Sequence, residues 1–147
     1  MCRHASYLGP LISLEKFLLQ PIHSLVEQSY RPKEMLTAEV NADGFGIGWY
    51  LEDGTARRYI NPAPIWSDPN IVQLAPILQS KVWLGNVRSA TVAGSITSVN
   101  TPPYGVGRLL FSHNGFINDF AAKVRPAIRR YLVPEIEANI HGNTDSE

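Results

Sequence analysis

The chain has 147 residues, with 13 Lys plus Arg balanced by 13 Asp plus Glu and a formal net charge of zero when His is neutral. That balance leaves no basic footprint for nucleic acid and no electrostatic attraction to an anionic membrane surface, so neither partner is expected. With 44% hydrophobic and 18% charged residues, the composition is that of one globular domain with a core of its own.

Met1-Cys2-Arg3-His4 opens the chain and carries its only cysteine. One cysteine excludes an internal disulfide and a zinc ribbon and fits a reducing, cytoplasmic compartment. No succession of basic, apolar and small residues follows, so no signal peptide is expected, and the apolar runs are too short to span a bilayer. Removal of Met1 leaves Cys2 with a free α-amine beside its thiol. A thiol is only a few per cent thiolate at neutral pH and needs a base to become a good nucleophile. An α-amine titrates near about 7.7–8.0, lower than any lysine, and can take that proton directly or through a water. Taken alone, a cysteine here is as readily a small buried hydrophobe.

Residues 2–8 suit a short strand ending at Gly9-Pro10, a strong breaker. Ser13 reads as the N-cap of a helix carrying Leu14, Phe17, Leu18 and Leu19, which Pro21 ends. A second turn or helix covers 22–30 and breaks at Arg31-Pro32; 33–40 fits no one element. Glycines at 44, 46 and 48 then alternate with Phe45, Ile47 and Trp49, so one face of this strand has no side chains. A dinucleotide fingerprint is excluded because its third Gly would fall at Trp49. Close packing against the nucleophile's strand, or plain sheet packing, explains the bare face.

Glu52-Asp53-Gly54-Thr55 predicts a hairpin turn into a strand over 56–60. After a Pro-rich loop, Asp68-Pro69 is an N-cap and first-turn pair for a helix bearing Ile71, Leu74, Ala75 and Leu78, shortened by Pro76. Residues 81–87 read as a buried strand leading into Arg88-Ser89-Ala90-Thr91. A loop runs through Asn100-Thr101-Pro102-Pro103, and 108–112 forms a strand ending at His113-Asn114-Gly115. From 121 to 140 the pattern is helical, broken near Pro126 and Pro134, with Lys123, Arg125, Arg129 and Arg130 on a solvated face. His4, His23, His113 and His141 lack metal-ligand spacing, so no metal and no cofactor is expected. Individually these motifs have plain readings: Asn114-Gly115 as a turn, Arg88 as a surface cation, Asp145 as a cap or solvated acid.

As an ordered set, Cys2, the glycine strand, Asn86-Val87-Arg88-Ser89-Ala90-Thr91, Ser112-His113-Asn114-Gly115 and Thr144-Asp145-Ser146-Glu147 resemble the class II glutamine amidotransferases, whose glutaminase domain is an N-terminal-nucleophile hydrolase. The resemblance implies an α+β fold: a four-layer αββα sandwich of antiparallel sheets, one domain over 1–147. It implies that Cys2 attacks a γ-glutamyl carbonyl, that Asn114 and Gly115 donate to the oxyanion, that Arg88 and Thr91 hold the α-carboxylate, and that Asp145 takes the α-ammonium. His4 and His113 are then structural. Within the family, Met1-Cys2-Arg3-His4, Pro21-Ile22-His23-Ser24-Leu25 and Val87-Arg88-Ser89-Ala90-Thr91-Val92 look most like the ergothioneine-biosynthesis amidohydrolases, which release glutamate from γ-glutamyl-hercynylcysteine sulfoxide. Sugar-phosphate amidotransferases usually have Trp where Ser89 stands, and the smaller residue suits a leaving group larger than ammonia. Alternatives are a glutaminase module passing ammonia to a synthase partner, and a silent γ-glutamyl-binding module. The family's domain continues beyond the position matching Glu147. The second sheet is therefore expected to be incomplete, with apolar faces that a homo-oligomer or partner chain would cover.

Overall fold

The computed structural model describes residues 2–33, 40–91 and 94–147. Four strands form one antiparallel sheet in the order β1 (Arg3–Ser13), β4 (Gln79–Val87), β2 (Phe45–Tyr50), β3 (Ala56–Asn61). The apolar run predicted over 81–87 is the centre of this sheet and starts two residues earlier, at Gln79. β2 and β3 are joined as the Asp-Gly signal predicts: Gly54 takes φ +76° and Thr55 N–H donates to Asp53 Oδ1 at 2.8 Å.

Gly9-Pro10 does not end β1, contrary to the sequence reading. The strand runs on to Ser13 with a register shift between Leu8 and Ile12, so that Leu8 opposes Val82 and Ile12 opposes Ser80. β1 is an edge strand, where Pro10 removes no ladder hydrogen bond and an irregularity is tolerated. The Tyr7 hydroxyl donates to the Pro10 carbonyl at 2.8 Å and ties the irregularity down.

Trp83, Gly85 and Val87 of β4 face the helices α1 (Leu14–Leu18) and α2 (Leu25–Tyr30), with the Phe17 ring stacked on Trp83 at 6.1 Å between centroids. Leu14, Leu18, Leu25, Phe45, Ile47, Ile71 and Trp83 are buried together on this side. Capping starts the helices: Ser13 accepts from Lys16 N–H, Ser24 from Glu27 N–H, and Asp68 from Asn70 N–H at the head of α3 (Pro69–Leu74). α3 stops at Leu74, where Pro76 predicts the shortening.

Asp68 also accepts from the Tyr59 hydroxyl at 2.7 Å and Asn61 Nδ2 at 2.8 Å. Burial pushes its carboxyl up, but the hydrogen bonds from Tyr59, Asn61 and Asn70 outweigh that and hold it below the ordinary value. A depressed folded-state pKa contributes stability that is present above the unfolded value and lost as pH falls through the folded one. Asp68→Ala is therefore expected to lower stability by about 2 kcal/mol at neutral pH, through the lost cap and the orphaned Tyr59 and Asn61 donors. Urea unfolding at neutral pH and at about pH 3 checks this, since the gap between the variant and the parent should narrow in acid.

The opposite face of the sheet carries Gly46 and Gly48. Their neighbours are Pro102, Pro103 and Leu110, not the Cys2 strand β1 as the sequence reading has it, because β4 lies between β1 and β2. A Cβ on Gly46 would fall 2.2 Å from the Pro102 carbonyl oxygen, which is why that position has no side chain. The two prolines lead into a hairpin of β5 (Tyr104–Val106) and β6 (Leu109–Phe111). The sequence reading anticipates β6 and overlooks β5, whose three residues are too short to show a period. A π-type turn (Phe120–Val124) runs directly into α4 (Arg125–Arg129), so the break expected near Pro126 is absent. Pro126 sits in the first turn of α4, where its missing N–H costs little, and the helical pattern breaks only before Pro134, which starts α5 (Pro134–Glu137).

Lys123 and Arg130 are exposed, but Arg125 and Arg129 are only half-exposed and line a cavity of about 820 Å³ between the β5–β6 hairpin and α4–α5. Arg129 pairs with Glu137 at 2.9 Å. Leu8, Leu109, Phe111 and Tyr131 are exposed apolar side chains. No helix among the described residues is long and apolar enough to cross a membrane.

Candidate active site

Cys2 stands at the head of β1, where the pairing of Arg3 with Val87 sets it beside the loop that leaves β4. It is half-buried. The Ser89 N–H donates to Sγ at 3.5 Å and the thiol faces the Ser89 carbonyl oxygen at 3.6 Å. The 88–91 loop thus fixes the position of the sulfur through backbone groups alone.

That loop is itself tied to the start of β2. Arg88 N–H donates to the Gly44 carbonyl, Asp43 N–H to the Arg88 carbonyl, and Ala90 N–H to Asp43 Oδ2 at 2.7 Å. The Arg88 side chain is buried, at 6% exposure. Its Nη1 donates to the Ser95 carbonyl at 2.9 Å and the Asp43 carbonyl at 3.4 Å, and its Nη2 to Ser95 Oγ at 2.8 Å. These partners are neutral oxygens, and among the described residues no carboxylate forms an ion pair with Arg88. A buried guanidinium in that condition is an electrostatic invitation to an anion, and its planar fork suits a carboxylate.

Asn114 follows β6 and reaches back across 112 residues of sequence, its Nδ2 donating to the Cys2 carbonyl at 2.8 Å. The side-chain amide has a second N–H, which this bond leaves unused. At Gly115 a Cβ would fall 2.5 Å from His113 Nε2, so any side chain there would have to displace the His113 ring packed across this residue. Cys2, Arg88, Ser89 and Asn114 are therefore linked through one set of short contacts. Thr91 is not tied to them: it is exposed, and among the described residues no hydrogen bond joins it to Cys2 or Arg88.

Asp145 lies on the far side of the Asn114 loop. Its Oδ2 accepts the Ile117 N–H at 2.5 Å, and among the described residues its Oδ1 meets the Ser146 hydroxyl at 3.5 Å and no closer donor. His113 Nδ1 meets Ser146 Oγ at 3.3 Å. His4 is exposed on β1.

Several contributors escape sequence reasoning. Ser95 holds the Arg88 guanidinium from a loop without periodicity. Asn100 and Asn143 bond reciprocally, Asn100 Nδ2 to Asn143 Oδ1 and Asn143 N–H to Asn100 Oδ1, both at 2.9 Å. Asn86, 1% exposed on β4, donates to Ser112 Oγ at 3.2 Å and so braces the base of the Asn114 loop. Tyr104 is buried with its hydroxyl on the Asn100 carbonyl at 3.2 Å; burial pushes its phenol up, and the Arg88 charge acts against that. The Asn86 signal was available inside the motif that carries Arg88. The cavity of about 820 Å³ opens beside Tyr104, His113, Asp145 and Ser146, while Cys2, Arg88 and Asn114 lie outside its wall.

This geometry brings together a cysteine thiol, an amide donor on the carbonyl of the same residue, a buried guanidinium and a carboxylate bonded to the loop that follows Asn114. Residues 23–147 match the family described as glutamine amidotransferases class-II. Proteins named gamma-glutamyl-hercynylcysteine sulfoxide hydrolase from Mycolicibacterium smegmatis and Mycobacterium tuberculosis are 39% and 38% identical to the chain, over 80% and 86% of it and 52% and 54% of themselves. A probable glutamine amidotransferase of Saccharomyces cerevisiae is 32% identical over 100% of this chain and 43% of its own length. The solved structure of a glutamine aminotransferase class-II domain protein from Silicibacter pomeroyi matches with a TM-score of 0.67 and 25% identity, covering 99% of this chain and 50% of that one. The chain spans about half the length of the curated relatives it matches.

Proposed function

We propose that this chain, which belongs to the class II glutamine amidotransferase family, carries the nucleophile half of a site that hydrolyses a γ-glutamyl amide bond. The observation that carries the reading is the bond from Asn114 Nδ2 to the Cys2 carbonyl at 2.8 Å, which supports Asn114 as an oxyanion donor to a reaction at Cys2. The order of layers, α1–α3, the large sheet, the β5–β6 hairpin and then α4–α5, supports a four-layer αββα sandwich with residues 1–147 as one unit of it.

With Met1 removed, the Cys2 α-amine takes the thiol proton and Sγ attacks the γ-carbonyl carbon. The remaining Asn114 N–H and the Gly115 N–H receive the oxyanion; losing one such donor typically costs about 10²–10³ in rate. The C–N bond then breaks, the leaving amine carries off the proton, and a γ-glutamyl thioester forms on Cys2. Water attacks that thioester, releasing glutamate and restoring the thiol. Arg88, with Thr91 assisting, takes the α-carboxylate, and Asp145 takes the α-ammonium. The names of the mycobacterial relatives point to γ-glutamyl-hercynylcysteine sulfoxide as substrate. The small side chain of Ser89, whose backbone already holds Sγ, leaves room for a leaving group larger than ammonia. The yeast relative's name supports a second reading, glutamine hydrolysis that supplies ammonia to a partner.

Intact mass spectrometry before and after 6-diazo-5-oxo-norleucine tests the site. The expected result is a chain lacking Met1 with a single adduct on Cys2. A chain that keeps Met1, or loses it and stays unlabelled, overturns the hydrolase reading in favour of a silent γ-glutamyl-binding module.

A further inference from the structure

The donors at Asn114 and Gly115 lie in an exposed loop between β6 and the π-type turn, without regular structure of its own. Such a loop holds a transition-state geometry only if something fixes it from outside. Asn114 is fixed through the Cys2 carbonyl, and beyond Gly115 the loop is fixed by the Ile117 N–H on Asp145 Oδ2.

Asp145 is in turn well anchored. The reciprocal Asn100–Asn143 pair ties its segment to a residue only 3% exposed. Ser146 meets the His113 ring, and the Glu147 carboxylate accepts the N–H groups of His141 and Gly142. The other carboxylate oxygen, Oδ1, has among the described residues a single long contact, to Ser146 Oγ at 3.5 Å, and keeps acceptor capacity for a cation.

We propose that Asp145 is a positioning residue with two simultaneous bonds: Oδ2 clamps the oxyanion loop through Ile117, while Oδ1 takes the substrate's α-ammonium. This rests on the γ-glutamyl reading above and extends it. An ammonium on Oδ1 fixes the plane of the carboxylate, and with it the Ile117 N–H and the donors that precede it. Recognition of a free α-amine then raises the chemical step as well as affinity. Substrates that lack the amine lose kcat and not only KM.

Two substitutions separate the bonds. Asp145→Asn removes the charge but keeps an oxygen that can accept from Ile117, whereas Asp145→Ala removes both. Hydrogen exchange of the segment 114–118 is expected to quicken by about tenfold in Asp145→Ala and much less in Asp145→Asn. With γ-glutamyl-p-nitroanilide, KM rises in both variants and kcat falls about tenfold further in Asp145→Ala, as for a catalytic group displaced by a fraction of an ångström. With the desamino probe glutaryl-p-nitroanilide, the parent loses kcat as well as affinity. Ile117→Pro, which deletes the N–H and leaves Asp145 intact, reproduces the Asp145→Ala exchange pattern and keeps the test open if Asp145→Ala does not fold. Equal kcat in the Asn and Ala variants, or unchanged exchange at 114–118 in Asp145→Ala, overturns the clamp. If the exchange pattern holds but no form, the parent included, turns over either probe, the γ-glutamyl reading fails and the clamp stands.

Discussion

Replacing Cys2 with Ala is expected to lower turnover of γ-glutamyl amides by about 10⁴-fold or more while leaving γ-glutamyl ligands bound with little change in affinity. The first half follows from covalent catalysis: without Sγ no thioester forms, and the oxyanion donors alone give only slow attack by water. The second half follows from what the sulfur touches. Sγ contacts the backbone of Ser89, and the Asn114 bond is made to the Cys2 carbonyl, which alanine keeps. The Arg88 guanidinium is held by Ser95 and Asp43, with no part played by the thiol. Initial rates with γ-glutamyl-p-nitroanilide and calorimetry with a γ-glutamyl ligand give the two numbers. Turnover within tenfold of the parent would remove Cys2 as the nucleophile. A large loss of affinity would mean that the sulfur shapes the binding site, contrary to its contacts.

Much of the frame can be read directly from local chemistry. Ser13 and Asp68 cap the helices that their positions announce, and Asp53-Gly54 turns the hairpin it predicts. Each of these depends on neighbours within a few residues, so a linear reading contains the whole cause. Gly9-Pro10 is the exception: as a dipeptide it is a breaker, and only its place on an edge strand lets β1 continue. The site divides in the same way. Cys2, Arg88 and Asn114 come together because strand pairing places them at one end of the sheet and hairpin. Their supports, Ser95 under Arg88, Asn100 on Asn143 and Ile117 on Asp145, join irregular segments far apart in sequence and leave no period or spacing to detect. The same limit hides β5, and it hides the half-exposure of Arg125 and Arg129 around the cavity, since a helical pattern shows which faces are polar and not what lies opposite them.

The alternating glycines of β2 look equivalent in the sequence, and the structure makes them unequal. A methyl on Gly46 would lie 2.2 Å from the Pro102 carbonyl oxygen and 2.9 Å from its carbon, so backbone has to move. A methyl on Gly48 would lie 2.8 Å from Leu110 Cδ1 and 3.0 Å from Pro103 Cγ, and the leucine can change rotamer. Gly46→Ala is therefore expected to cost about 3 kcal/mol, even after the gain of about 0.5–1 kcal/mol from stiffening a strand residue. Gly48→Ala should stay within about 1 kcal/mol of the parent. For a chain of this length the first loss is a fall of roughly 6–12 °C in melting temperature. The effect should also reach the chemistry, because Pro102 and Pro103 lead into the hairpin whose second strand ends just before Asn114. A shift of about 1 Å in that donor lowers kcat by on the order of 10²-fold, with KM less affected while Arg88 stays in place. Thermal unfolding and steady-state rates on both variants decide the point. Equal losses at the two positions would mean that the second layer yields as a unit and that Pro102 does not bear on Gly46. A destabilised Gly46→Ala with normal kcat would mean that the hairpin moves without moving its donor.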